Sequence, residues 1–106
     1  MAKNEYMERE SRIISALKTV YDPEIPVNIY DLGLIYEINV DEEDIANITM
    51  TLTAPNCPMA DMIIEDVKYK VAGTKGIKDC HLILTFDPPW DKSMMTEEAK
   101  LELGFL

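Results

Sequence analysis

The chain has 106 residues, 47% of them hydrophobic, and a formal net charge of −10 from 20 acidic and 10 basic side chains. That length suits one domain, spanning 1–106, with a core of its own, and that hydrophobic content excludes a disordered chain. The acidic balance excludes nucleic-acid binding as a first reading, because phosphate contacts need a basic face.

No apolar run approaches the ~20 residues that span a bilayer, so no membrane association is expected. The start, Met1-Ala2-Lys3-Asn4-Glu5, leads into a charged helix rather than an apolar signal core, which points to the cytoplasm. There the two separated cysteines, Cys57 and Cys80, should stay reduced and form no framework.

Residues near 5 to 21 read as a helix. Ile13, Ile14, Leu17, Val20 and Tyr21 share one face, and Glu8, Arg9, Arg12 and Lys18 take the other. Asp22-Pro23 should end it, since the residue before a proline is pushed out of the helical region. In Asp22-Pro23-Glu24-Ile25-Pro26 two prolines stiffen a loop that carries two carboxylates. These carboxylates could bind a cation, accept backbone N–H bonds or stay solvated. Asp31 then precedes Leu32-Gly33, where glycine supplies a backbone angle closed to larger residues.

Leu34 to Val40 alternates, with Leu34, Tyr36, Ile38 and Val40 on one face, the period of a half-buried strand. Asp41-Glu42-Glu43-Asp44 reads as a solvated hairpin turn, lacking the spacing and glycine of a calcium loop. Ile45 to Thr53 alternates again. Ala46, Ile48, Met50 and Leu52 point inward, and Asn47, Thr49, Thr51 and Thr53 outward, as in an antiparallel sheet covered on one side.

Thr53-Ala54-Pro55-Asn56-Cys57-Pro58 joins that strand to a second helix, Pro58 to about Ala72. Proline is favoured at the first helical position, which makes Cys57 the helix's N-cap. Free N–H groups and the positive helix end lower a thiol pKa, favouring a nucleophile or metal ligand. A buried cysteine packing as a small apolar side chain is the competing reading. On the helix, Met59, Ile63, Val67 and Val71 repeat every four residues, with Met62 and Ile64 beside them.

Ile77 to Phe86 reads as a third strand with Cys80, Leu82, Leu84 and Phe86 on one face and Cys80 in the core. His81, the only histidine, faces away from Cys80, so the two cannot share one metal without a bulge. Asp87-Pro88-Pro89-Trp90 ends the strand. Trp90 either covers the site loop, presents a partner surface or closes the core's edge. Thr96 to Leu103 reads as a last short helix, capped by Thr96 and stopped by Gly104. The elements run in the order α-β-β-α-β-α.

Four segments carry a resemblance: Asp22-Pro23-Glu24-Ile25-Pro26, Asp31-Leu32-Gly33-Leu34-Ile35-Tyr36, Thr53-Ala54-Pro55-Asn56-Cys57-Pro58 and Asp87-Pro88-Pro89-Trp90. In that order and spacing the chain resembles the MIP18 (DUF59) family. The resemblance implies an α/β (α+β) fold, a small two-layer sandwich with a three-stranded sheet and helices on one face, similar to the C-terminal domain of NifU. It implies a SUF-type role in iron–sulfur cluster assembly or maturation, without enzymatic activity. Cys57 would be the functional thiol and a transient metal ligand, with Asp22, Glu24, Asp31, Thr53 and Trp90 in support. No tightly bound cofactor is implied, only transient iron or an iron–sulfur cluster. Partners would be assembly proteins and apo-protein clients.

One copy cannot supply four cysteines for a cluster. A second chain in a homodimer, ligands such as Asp22 or Glu24, or a partner's thiols would complete it. The alternatives are an adaptor that recruits clients without touching metal, an accessory of an oxygenase like PaaD, and an enzyme with a nucleophilic thiol. The PaaD-like role is disfavoured because its cysteine-rich extension is missing before Leu106. The enzyme is disfavoured because no histidine base is placed near Cys57.

Overall fold

The computed structural model describes residues 2–21, 25–53 and 60–104, with side chains from residue 8 onward in the first helix. The elements follow in the order α1 (Ala2–Leu17), β1 (Ile35–Val40), β2 (Ile45–Met50), α2 (Ala60–Ala72), β3 (Asp79–Leu84) and α3 (Glu97–Glu102), with a 3-10 turn at Lys92–Met94 before α3.

The sheet has the order β1-β2-β3. β1 runs antiparallel to β2 across the acidic turn, and β3 runs parallel to it, with Ala46 opposite Cys80 and Ile48 opposite Leu82. A parallel pair needs a long crossover, and α2 provides it. Ala46, Ile48 and Met50 of the central strand are fully buried, as are Ile13 and Leu17 of α1 and Val67 and Val71 of α2. The inward positions of all three strands thus meet one layer of helices. Truncating one such side chain, Ile48 for example, would cost about 2–5 kcal/mol.

Several boundaries differ from the sequence reading. α1 ends at Leu17 rather than 21, because Thr19 Oγ1 donates to the Ala16 carbonyl (2.6 Å) while Thr19 and Val20 N–H groups bond three residues back. The tightened turn keeps Val20 in the core but swings Tyr21 out, leaving it 53% exposed. β1 starts at Ile35, and an irregularity between Ile35 and Glu37 shifts its register. Strict alternation therefore fails at Ile35 and Tyr36.

β2 ends at Met50 instead of Thr53. Beyond it Thr51 is buried, not outward, and its N–H donates to the Leu34 carbonyl (2.8 Å). Leu52 is buried as expected. β3 is shorter than read, ending at Leu84, and Leu84 and Phe86 are partly exposed while Cys80 is buried. Cys80 is buried and His81 is exposed, as their opposite faces require.

The acidic turn is more than solvated. Asp41 Oδ1 accepts the N–H groups of Glu43 (2.8 Å) and Ile45 (3.1 Å), which holds its carboxyl below the usual range. Asp44 takes a left-handed backbone, φ 64°, and pairs with Arg9 of α1. One arginine therefore ties the first helix to the hairpin.

Candidate functional site

The Asp31-Leu32-Gly33 segment sits in a compact turn after α1. The Ile29 N–H donates to the Val20 carbonyl (2.9 Å), the Leu32 N–H to Asn28 (3.1 Å) and the Leu34 N–H to Ile29 (3.2 Å). Ile29, Leu32 and Leu34 are fully buried beneath it. Asn28 fixes Asp31 twice. Its Nδ2 donates to Asp31 Oδ2 (2.8 Å) and its Oδ1 accepts the Asp31 N–H (2.9 Å). Asp31 therefore has a structural task, holding the turn through an asparagine that the sequence reading passed over.

The chain after β3 returns to clasp this turn. Trp90 is half-buried, packs on the core, and its indole Nε1 donates to the Leu32 carbonyl (2.7 Å). The Thr96 N–H donates to the Asp31 carbonyl (2.9 Å), and Tyr36 Oη donates to the Pro88 carbonyl (2.8 Å). The peptide bond between Asp87 and Pro88 is cis. Gly33 lies between, at φ +84°, where an added Cβ would stand 2.4 Å from the Met94 carbonyl oxygen. Two of the four resemblance segments are thus one structural unit, and Trp90 closes the edge of the core.

One cavity adjoins this unit, and a second lies along α2. Ile25, Leu32, Trp90, Met95 and Leu103 line a small apolar one of about 280 Å³. Ile25 is the residue that follows Glu24. A larger open groove, about 620 Å³, runs along α2 between Tyr21 and the row Asp61, Met62, Glu65, Asp66 and Tyr69. Tyr21 immediately precedes Asp22, and Asp61 follows Cys57 by four residues. The flanks of the acidic loop and of the thiol segment therefore share one groove.

Cys57, Asp22 and Glu24 themselves, with Pro23, Pro58 and Met59, lie outside the described residues. Thr53, half-buried, is the last described residue before the thiol segment, two positions after the Thr51–Leu34 bond. The segment after β3 bonds two consecutive carbonyls of this turn, Thr96 that of Asp31 and Trp90 that of Leu32.

Cys80 is no substitute ligand. Burial, reinforced by the neighbouring Asp79 carboxylate, pushes its thiol up to about 11, so it stays protonated at neutral pH, whereas a metal-binding thiol must ionise. Among the described residues no group of three or more His, Cys, Asp or Glu side chains could hold a metal. Among the same residues no helix is long and apolar enough to cross a membrane.

A family model described as "Iron-sulfur cluster assembly protein" matches residues 10–81. A Porphyromonas gingivalis protein named "Fe-S protein maturation auxiliary factor" is 60% identical over 97% of this chain and 98% of its own. A Staphylococcus aureus protein, "Fe-S protein maturation auxiliary factor SufT", is 44% identical over 80% of this chain and 97% of its own. Among solved structures, a Bacillus anthracis DUF59 domain superposes with a TM-score of 0.87 at 37% identity, covering 98% of this chain and 99% of that one.

Proposed function

Because this chain belongs to the iron–sulfur cluster assembly protein family, which the sequence reading reached as MIP18 or DUF59, we propose that it is an auxiliary maturation factor whose Cys57 thiolate takes part in passing iron or a cluster to apo-proteins. The cluster is cargo, not a resident cofactor, and the chain carries out no catalysis of its own. With two cysteines in the chain and Cys80 buried and protonated, only Cys57 remains as a thiolate ligand from each copy. A cluster held by cysteines needs four of them, so the remaining ligands come from carboxylates, a second copy or the recipient. Incomplete ligation suits release, since a site that satisfies every coordination position has no reason to give its cargo up.

The observation that carries this reading is the shared groove. Tyr21, beside Asp22, and Asp61 and Met62, shortly after Cys57, line one open surface. A groove bordered by the chain neighbours of both segments is open to a partner, as transfer requires. Anaerobic reconstitution with iron and sulfide tests it. Wild-type protein should gain visible-region absorbance that Cys57→Ser abolishes and Cys80→Ala retains. Equal colour in wild type and Cys57→Ser would overturn the assignment. A colourless wild type that still captures clients with and without the thiol would favour an adaptor that never touches metal.

A further inference from the structure

The groove along α2 has a feature that cluster chemistry leaves unexplained. Its floor and walls are large apolar side chains left in solvent. Tyr21 is 53% exposed, Met62 60% and Tyr69 80%. Met62 and Tyr69 lie seven residues apart on α2, two helical turns, and so share one stripe about 10 Å long. Between and before them stand Asp61, Glu65 and Asp66. Asp66 is held by Lys70 (3.4 Å), whereas among the described residues Asp61 and Glu65 have no cation within ion-pairing distance. Lys70 also donates to the Thr19 carbonyl (3.0 Å), which fixes a positive charge at the far end. The stripe's acidic side begins at Asp61, near the N-terminus of α2 and four positions after Cys57 in the sequence.

We propose that this groove docks a basic amphipathic segment of a partner protein, with Lys or Arg side chains on the acidic rim and an apolar side chain between Met62 and the tyrosines. Three properties of the surface select that occupant. Exposed tyrosine faces attract guanidinium and ammonium groups. Methionine is soft and adapts to apolar partners of varied shape. Asp61 and Glu65, without an ion-pair partner among the described residues and within a chain of net charge −10, repel acidic sequences and steer basic ones. The inference rests on the maturation reading in taking the occupant to be another protein.

The test uses the full chain, labelled for amide NMR, with a synthetic Leu/Arg amphipathic peptide and its Leu/Glu counterpart as probes. The Leu/Arg peptide should bind saturably, weaken as salt rises, and shift amides of Tyr21 and residues 61–69. The Leu/Glu peptide should not bind. Asp61→Lys with Glu65→Lys, and separately Met62→Ser with Tyr69→Ser, should each weaken binding roughly tenfold, the sum of a few exposed pair contributions. All four positions are exposed, so the variants should keep the wild-type fold, which the amide spectrum itself reports.

Shifts confined to the Asp41–Asp44 turn, undiminished binding by either double variant, or no saturable binding would overturn the proposal. So would concentration-dependent self-association that fills the groove with a second copy. Reconstitution of the same variants separates the two claims. Cys57-dependent colour without peptide binding sinks the groove alone, and peptide binding without that colour sinks the maturation site alone.

Discussion

Replacing Gly33 with alanine tests the clasp between the Asp31-Leu32-Gly33 turn and the segment after β3. The backbone at Gly33 has φ +84°, and a Cβ there would meet the Met94 carbonyl oxygen at 2.4 Å and its carbonyl carbon at 2.8 Å. Backbone atoms cannot swing aside as a side chain can, so the 3-10 turn at Lys92–Met94 must move. The left-handed conformation costs a non-glycine residue roughly 1–2 kcal/mol. Displacing the turn strains the Trp90–Leu32 and Thr96–Asp31 hydrogen bonds, about 0.5–1.5 kcal/mol each if lost. The total is about 2–5 kcal/mol, a large share of a small domain's stability.

Gly104→Ala is the control. Its φ is +79°, but nothing lies within 4 Å of the added Cβ, so it pays only the conformational term. Urea denaturation gives both stabilities, and the emission of Trp90, the only tryptophan, reports its environment. Gly33→Ala should be the less stable of the two by at least about 1 kcal/mol and should red-shift the emission. Equal destabilisation with unchanged emission would refute the close approach.

Two further outcomes follow from the same geometry. Thr96 Oγ1 accepts the Ala99 N–H (3.2 Å), so Thr96→Ala should cost about 1 kcal/mol in urea denaturation, and a neutral result would show that the cap is dispensable. In a Cys57→Ser background the folded Cys80 thiol should resist alkylation until the pH nears 11. The folded pKa is raised, so its contribution to stability is complete below the free-thiol value near 8.5 and is lost as pH rises through 11. Brisk reaction of folded protein already at pH 8.5–9 would contradict that burial.

The regular elements were legible because their periods were. Ala46, Ile48 and Met50 alternate without interruption and are all buried, and Ile63, Val67 and Val71 keep a four-residue step and are buried too. The Thr96 cap and the Gly104 stop were readable from residue type alone. What failed were the ends, where tertiary bonds override pattern. Thr51 looks outward by alternation but is drawn in by the Leu34 carbonyl. Tyr21 continues α1's apolar face on paper, yet the helix closes four residues earlier. At the site, Asp31 and Trp90 were found as residues, but the bond from Trp90 to the Leu32 carbonyl was not, since 58 positions separate the two in the chain. Met62 and Tyr69 offered a signal of their own, apolar residues spaced by seven on the charged side of α2.

The central claim is that Cys57 hands iron–sulfur cargo to recipients. Its most direct measurement is the rate at which anaerobic, cluster-loaded protein restores activity to an apo-enzyme that needs a cluster. Wild type and Cys80→Ala should activate the recipient at equal rates, and Cys57→Ser should fall to the rate of free iron and sulfide. Activation by Cys57→Ser as fast as by wild type would contradict the account.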